Sequence, residues 1–138
     1  MKLIDRRQGL WMLAGSAVAA TALGVRAMAK EALAAPGRTL ALVEKKAGRV
    51  AFHALPDGRR IGTIALGTQP HEIVADPAGK FAYVGHYGVE SWKAPGAGGS
   101  EIWVIDLHAR TLARTIDMAP FGRLHAVRMD ARGRLYVL

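Results

Sequence analysis

The residues of this chain whose types and positions could do chemistry are a few histidines and one tryptophan. His71 and His125 lie 54 positions apart in matching surroundings, Pro70-His71-Glu72-Ile73-Val74-Ala75-Asp76 and Leu124-His125-Ala126-Val127-Arg128-Met129-Asp130. Imidazole donates, accepts, changes charge near neutrality and is the commonest metal ligand. His71, His125 and His86 are therefore candidate ligand-binding residues, and Trp92 offers a face on which a flat ligand could stack. The plainer reading is that each histidine ties its own turn by hydrogen bonds and recurs because the unit around it recurs. A spacing of 54 is not a metal motif, so no metal ligand is assigned from it. Glu72 could fix a ring tautomer or act as a base. Strand alternation sends it to the face opposite His71, where a surface salt link is the expectation.

Other chemistries drop out quickly. The chain has no cysteine, which removes disulfides, thiolate metal sites, covalent haem attachment and cysteine nucleophiles. Gly96-Ala97-Gly98-Gly99 lacks the Gly-Lys-Ser/Thr that would make it a phosphate loop. No serine nucleophile elbow and no His-Glu-x-x-His pattern occurs. No catalytic residue is assigned, and no cofactor is implied.

The elements that must position the histidines are short strands. Thr39–Val43, Arg49–Leu55 and Arg59–Leu66 are separated by a polar turn at 44–48 and by Pro56-Asp57-Gly58, and they read as an antiparallel meander. His71–Asp76, Phe81–His86, Glu101–Asp106 and Leu112–Asp117 follow as four more, with Pro77-Ala78-Gly79 as a turn and 87–100 as a Gly-rich inserted loop. Asp76, Asp106 and Asp130 precede turns and are expected to accept hydrogen bonds from the turn backbone. A long insertion on a rigid scaffold often carries function, which draws attention to Trp92 within it. The segment from Val50 to Ile64 overlays that from Ile102 to Ile116 at an offset of 52 residues. The His71 stretch overlays the His125 stretch at 54. Four-stranded meanders copied in register at such a period are blades of a β-propeller, because a plain sandwich has no reason to repeat residues in register.

The amino terminus has a different character. Lys2, Arg6, Arg7 and Arg26 against Asp5 put +3 of the formal charge of +8 into the first 29 residues. A basic start, an uncharged run from Gly9 to Val25 and the small residues Ala27 and Ala29 are the parts of an export signal, a helix removed after Ala29 or, alternatively, after Ala34. At 17 residues of mostly Ala, Gly and Leu, the run is short of the ~20 strongly apolar residues of a spanning helix, so no stable membrane anchor is expected. The remaining positive charges are scattered without interleaved aromatics, and a nucleic-acid partner is not expected.

Two resemblances add to this reading. Arg6-Arg7 followed by Leu10, with the late Arg26, resembles a twin-arginine signal, although Gly9 stands where Phe is usual and Trp11 where Lys is common. It implies the twin-arginine translocase as export partner and a periplasmic location. The pattern Pro-His-x-Ile/Val-x-x-Asp-x-x-Gly-Lys/Arg-x-x-Tyr-Val, then Ile-x-Val-Ile-Asp-Leu and Thr-Ile, resembles the blades of the YVTN-type, YncE-like seven-bladed propellers, a superfamily with lactonase-like members. The expectation is an all-β chain: signal peptide 1–29, linker 30–38, and a partial propeller over 39–138 made of blades 39–66, 71–117 and an incomplete 124–138. That is about two and a quarter blades, so the chain reads as an N-terminal fragment of a longer protein. The function implied is a periplasmic scaffold binding an unidentified small molecule or protein. The alternatives are a lactonase-like hydrolase of a small lactone or sugar acid, and an electron-transfer partner of a quinoprotein dehydrogenase.

Overall fold

The computed structural model describes residues 37–138. The segment expected to be an export signal and most of the expected linker, including Arg6, Arg7, Leu10, Ala27 and Ala29, lie outside the described residues. Thr39–Ala54 and Gly58–Leu138 form one compact unit. It consists of three antiparallel sheets in chain order: β1 (Thr39–Glu44), β2 (Arg49–Ala54) and β3 (Arg60–Ala65); then β4 (Pro70–Ala75), β5 (Phe81–His86), β6 (Glu101–Asp106) and β7 (Thr111–Asp117); then β8 (Val127–Met129) and β9 (Leu135–Val137). Each sheet is a meander in which sequential strands are neighbours. These are blades of a partial β-propeller. Among the described residues no helix is long and apolar enough to cross a membrane.

Alternation along the strands explains how the sheets stack. In β6, Trp103 and Ile105 pack with Ala82 and Val84 of β5 against Val50, Phe52 and Ile64 of the first sheet. The intervening Ile102 instead joins Leu124 and Val127, with Tyr83, Val74 and Ile116 packed beside them. Successive side chains leave a strand on opposite faces, so the middle sheet is apolar on both and has a neighbour on each. Its central strand β6 is correspondingly buried from Ile102 to Ile105.

The turns are fastened by the expected aspartates. Asp76 Oδ1 accepts from the Lys80 amide at 2.8 Å, Asp106 Oδ1 from those of His108 and Ala109 at 2.9 and 2.8 Å, and Asp130 Oδ1 from those of Arg132 and Arg134 at 2.9 Å each. A carboxylate does this well because it accepts several amides that the tight turn leaves without strand partners.

One departure from regular pairing decides where the site forms. Pro70 pairs with His86 but Ile73 with Val84, so β4 carries one more residue than β5 across that interval. This is a β-bulge at His71-Glu72. Its copy lies just before β8, where the amides of His125 and Ala126 both donate to the Leu138 carbonyl, at 2.7 and 3.2 Å.

Candidate functional site

The two bulges bring equivalent histidines of neighbouring blades together. The His71 and His125 rings stand 4.2 Å apart, centroid to centroid, tilted by 38°. Tyr87, the first residue after β5, closes the group at 5.1 Å from His71 and 5.5 Å from His125. Lys45, from the 3-10 turn Lys45–Ala47 that follows β1, places its ammonium over the Tyr87 ring at 4.8 Å, a cation–π contact. These four side chains, with Ser91 and Trp92 of the inserted loop, line a cavity of about 230 Å³.

His71 does not tie its own turn through Nδ1. Asp76, Asp106 and Asp130 fasten the turns that follow their strands, and the buried Nδ1 of His71 has no hydrogen-bond partner among the described residues. Burial, the neighbouring His125 and the Lys45 charge hold the His71 imidazole below its ordinary pKa, against a pull from Glu72. It is therefore neutral at pH 7, with a lone pair available.

Glu72 makes the expected salt link, and makes it across blades. Its Oε2 accepts from the Arg128 guanidinium and, at 3.4 Å, from the Val127 amide. The Arg128 bond is the main reason its carboxyl sits below the usual range. The bulge explains why it faces the third sheet at all. An extra residue suspends strict alternation, and Glu72 comes to share a neighbourhood with His71 and His125 instead of the opposite face.

The inserted loop is held in place. Arg123 donates to the carbonyls of Trp92, Ala94 and Gly96 at 2.9, 2.7 and 2.7 Å. Lys45 donates to the Glu90 carbonyl at 3.1 Å. Gly99 returns its amide to the Tyr87 carbonyl at 3.0 Å, closing the loop base. Trp92 itself remains 75% exposed, so one face is open to a ligand. Sequence reasoning missed Lys45, Tyr87, Ser91 and Arg123. Only the place of Tyr87 at the mouth of the insertion was a usable signal.

His86 stands apart from the cluster. At the end of β5 its ring stacks on Trp103 at 4.4 Å, and its Nδ1 lies 3.6 Å from the Glu101 carboxylate. Gly67 and Gly99 make the room: a Cβ on Gly67 would meet the Trp103 ring at 2.8 Å, and one on Gly99 would strike the His86 ring. Of the four candidate ligand residues, His71, His125 and Trp92 thus share a cavity and His86 belongs to the packing between sheets.

No protein-family model and no curated protein matches this chain. Among solved structures it is similar to hydrazine synthase of Kuenenia stuttgartiensis, at 24% identity and a TM-score of 0.61, over 73% of this chain and 26% of that one. The chain spans about a quarter of that neighbour's length. The likeness is one of fold, and together with the antiparallel sheets it fits a partial β-propeller.

Proposed function

We propose that this chain is part of an exported, periplasmic, YncE-like propeller protein that acts as a binding scaffold. Its ligand is a small molecule with an anionic group and a flat face. The observation that carries this reading is the convergence of His71 and His125 with Tyr87 and Lys45 around a single cavity. Lys45 supplies a fixed positive charge, the imidazoles supply N–H donors, and Tyr87 with Trp92 supplies aromatic surface. The lining named above contains no carboxylate, which suits an anion. As the scaffold, two blades and part of a third fall short of the four to eight that close a propeller, and the reading places these blades within a longer one.

Benzoate is a suitable probe, titrated against the tryptophan fluorescence of the purified protein. A saturable change is expected for the native chain, and its loss in Lys45→Met and in Trp92→Phe. The absence of saturation, or the same curve in Lys45→Met, would refute the anion site. Export is tested separately: with Arg6 and Arg7 both changed to lysine, the precursor should stay in the cytoplasm, and unaltered secretion removes the twin-arginine route from the proposal.

A further inference from the structure

We propose that His71, His125 and Glu72 form a binding site for a divalent transition-metal ion of the zinc class. One donor atom from each of the three lies within 4.8 Å of those of the other two. Zn–N and Zn–O bonds of about 2.0 to 2.2 Å place tetrahedral donors roughly 3.3 to 3.6 Å apart, so side-chain rotations that close about an ångström complete the geometry. The backbone is already committed, because the bulge that turns Glu72 toward the third sheet is the one that carries His71, and His125 sits on its copy.

Two features separate this trio from a chance cluster. The first is the buried Nδ1 of His71, which, like His53 Nε2, Gln69 Oε1 and both His86 ring nitrogens, has no partner among the described residues although buried polar atoms nearly always find one, and which alone of these belongs to a group of three possible ligands among the described residues. A bound ion explains it, by ligation at that nitrogen or through the ring's reorientation. The second is the support behind the carboxylate. The Arg128 guanidinium and the Val127 amide both bond Oε2, which fixes the group and leaves Oε1 as a donor. Ligating carboxylates are held in this way by outer partners. An alternative role for Glu72, as partner of Arg128 alone, accounts for the ion pair but not for the orphaned imidazole nitrogen.

The donor set selects the metal. Two imidazoles and one carboxylate suit zinc, cobalt, nickel or copper, whereas calcium and magnesium want oxygen ligands. Three protein ligands leave at least one position open, and the cavity lined by Tyr87, Ser91 and Trp92 adjoins the two histidines. A small carboxylate in that cavity could complete the coordination. The metal site does not depend on it, since zinc can be added with no organic ligand present.

The test is calorimetric titration of the purified chain with zinc chloride, paired with melting curves and with cobalt(II) absorption as a report on coordination. The native protein is expected to bind one equivalent and to melt higher with zinc. His125 is exposed, so His125→Ala keeps the fold, which circular dichroism checks. It should weaken binding by at least about tenfold, the cost of losing even an outer-shell partner. Glu72→Gln should weaken it too and should alter the cobalt spectrum. His53, His86 and His108 persist in both variants. Unchanged zinc affinity in His125→Ala would assign the ion to those residues and overturn the proposal, as would a native protein that neither binds nor is stabilised by zinc, cobalt, nickel or copper.

Discussion

The first and second sheets are one design in two settings. Strands β1–β3 correspond to β5–β7, with β2 and β3 displaced by 52 residues from β6 and β7 but β1 by only 42 from β5. The missing ten residues are the insertion: a four-residue turn, 45–48, joins β1 to β2, while 87–100 joins β5 to β6. The inner edge differs as well. β5 is covered by β4 and is buried at Ala82, Val84 and Gly85, whereas β1 has β2 as its one strand neighbour among the described residues and leaves Leu40 and Leu42 nearly half exposed. What the two sheets share is apolar packing around the equivalent strands β2 and β6. The unshared connections carry the cavity: Lys45 comes from the short one, Tyr87, Ser91 and Trp92 from the long one.

The sharpest way to break the equivalence is at the centre of β2 and β6. Phe52 and Ile105 are fully buried in the same apolar cluster. Phe52→Ala should cost about 3–5 kcal/mol and Ile105→Ala about 2–5 kcal/mol, read from chemical denaturation. If the two sheets form one cooperative core, both substitutions shift a single transition. Two separate transitions, with only one moved by each, would show that the sheets are stable independently.

A smaller effect distinguishes the two connections. Gly48 and Gly98 both have positive φ, +62° and +79°, a conformation that costs other residues about 1 kcal/mol or more. A Cβ on Gly48 would come 2.9 Å from the Gly67 carbonyl oxygen. On Gly98 it would collide with Arg123 Cγ and lie 2.7 Å from the Tyr87 carbonyl oxygen, disturbing the clamp on the insertion. Gly98→Ala should therefore destabilise by about 1–3 kcal/mol and also expose the Trp92 loop to limited proteolysis. Gly48→Ala should leave that loop uncut. Equal proteolysis in both would mean that Arg123 is not what holds the insertion.

The ion pair between the second and third sheets is weaker still. Glu72 and Arg128 are partly solvated, with side chains 27% and 67% exposed, and such pairs contribute about 0.2–1 kcal/mol. Arg128→Met should lower stability by no more than that in metal-free buffer, measured by denaturant midpoint. A loss of several kcal/mol would show that the pair is a fastening between blades.

Much of this was legible in the sequence, for a physical reason. A blade is specified by alternation, by turn residues and by copying, and all three are local patterns. Asp76, Asp106 and Asp130 fasten their turns as their positions predict. His71 and His125 meet because the same offset puts them at the same place in adjoining units. What escaped was set by departures from regularity. The bulge at His71-Glu72 has no signature in residue type, so strict alternation placed Glu72 on the wrong face. Arg123 reaches carbonyls nearly thirty residues away, which no periodicity encodes. His86 read as a third cavity residue because it ends a strand near His71, but the space left by Gly67 and Gly99 draws it onto Trp103.

The position of His86 supplies the last contrast. It corresponds to Glu44 in β1, and its neighbour Glu101 corresponds to Arg49 in β2. The first sheet thus holds a carboxylate beside a guanidinium, the second an imidazole beside a carboxylate. Glu44 bonds to Arg49 and Arg60, and chiefly through Arg49 its carboxyl is held below the ordinary 4.5. Burial holds His86 below its ordinary 6.5, outweighing Glu101 and the Thr68 backbone, which pull upward. Both shifts make acid destabilising, but in different windows. As pH falls through 6.5 the unfolded chain takes up the histidine's proton before the folded one does, so stability declines from there toward the folded value. The Glu44 contribution persists above 4.5 and is lost as pH falls through its lowered folded value. His86→Phe keeps a ring on Trp103 and removes the titration. Melting curves between pH 7.5 and 5 should fall less steeply for it than for the native protein, with His71 contributing to the residual slope, while Glu44→Gln should flatten the limb below 4.5. Identical slopes for His86→Phe and the native protein would show that the solvent reaches this imidazole as freely in the folded chain as in the unfolded one.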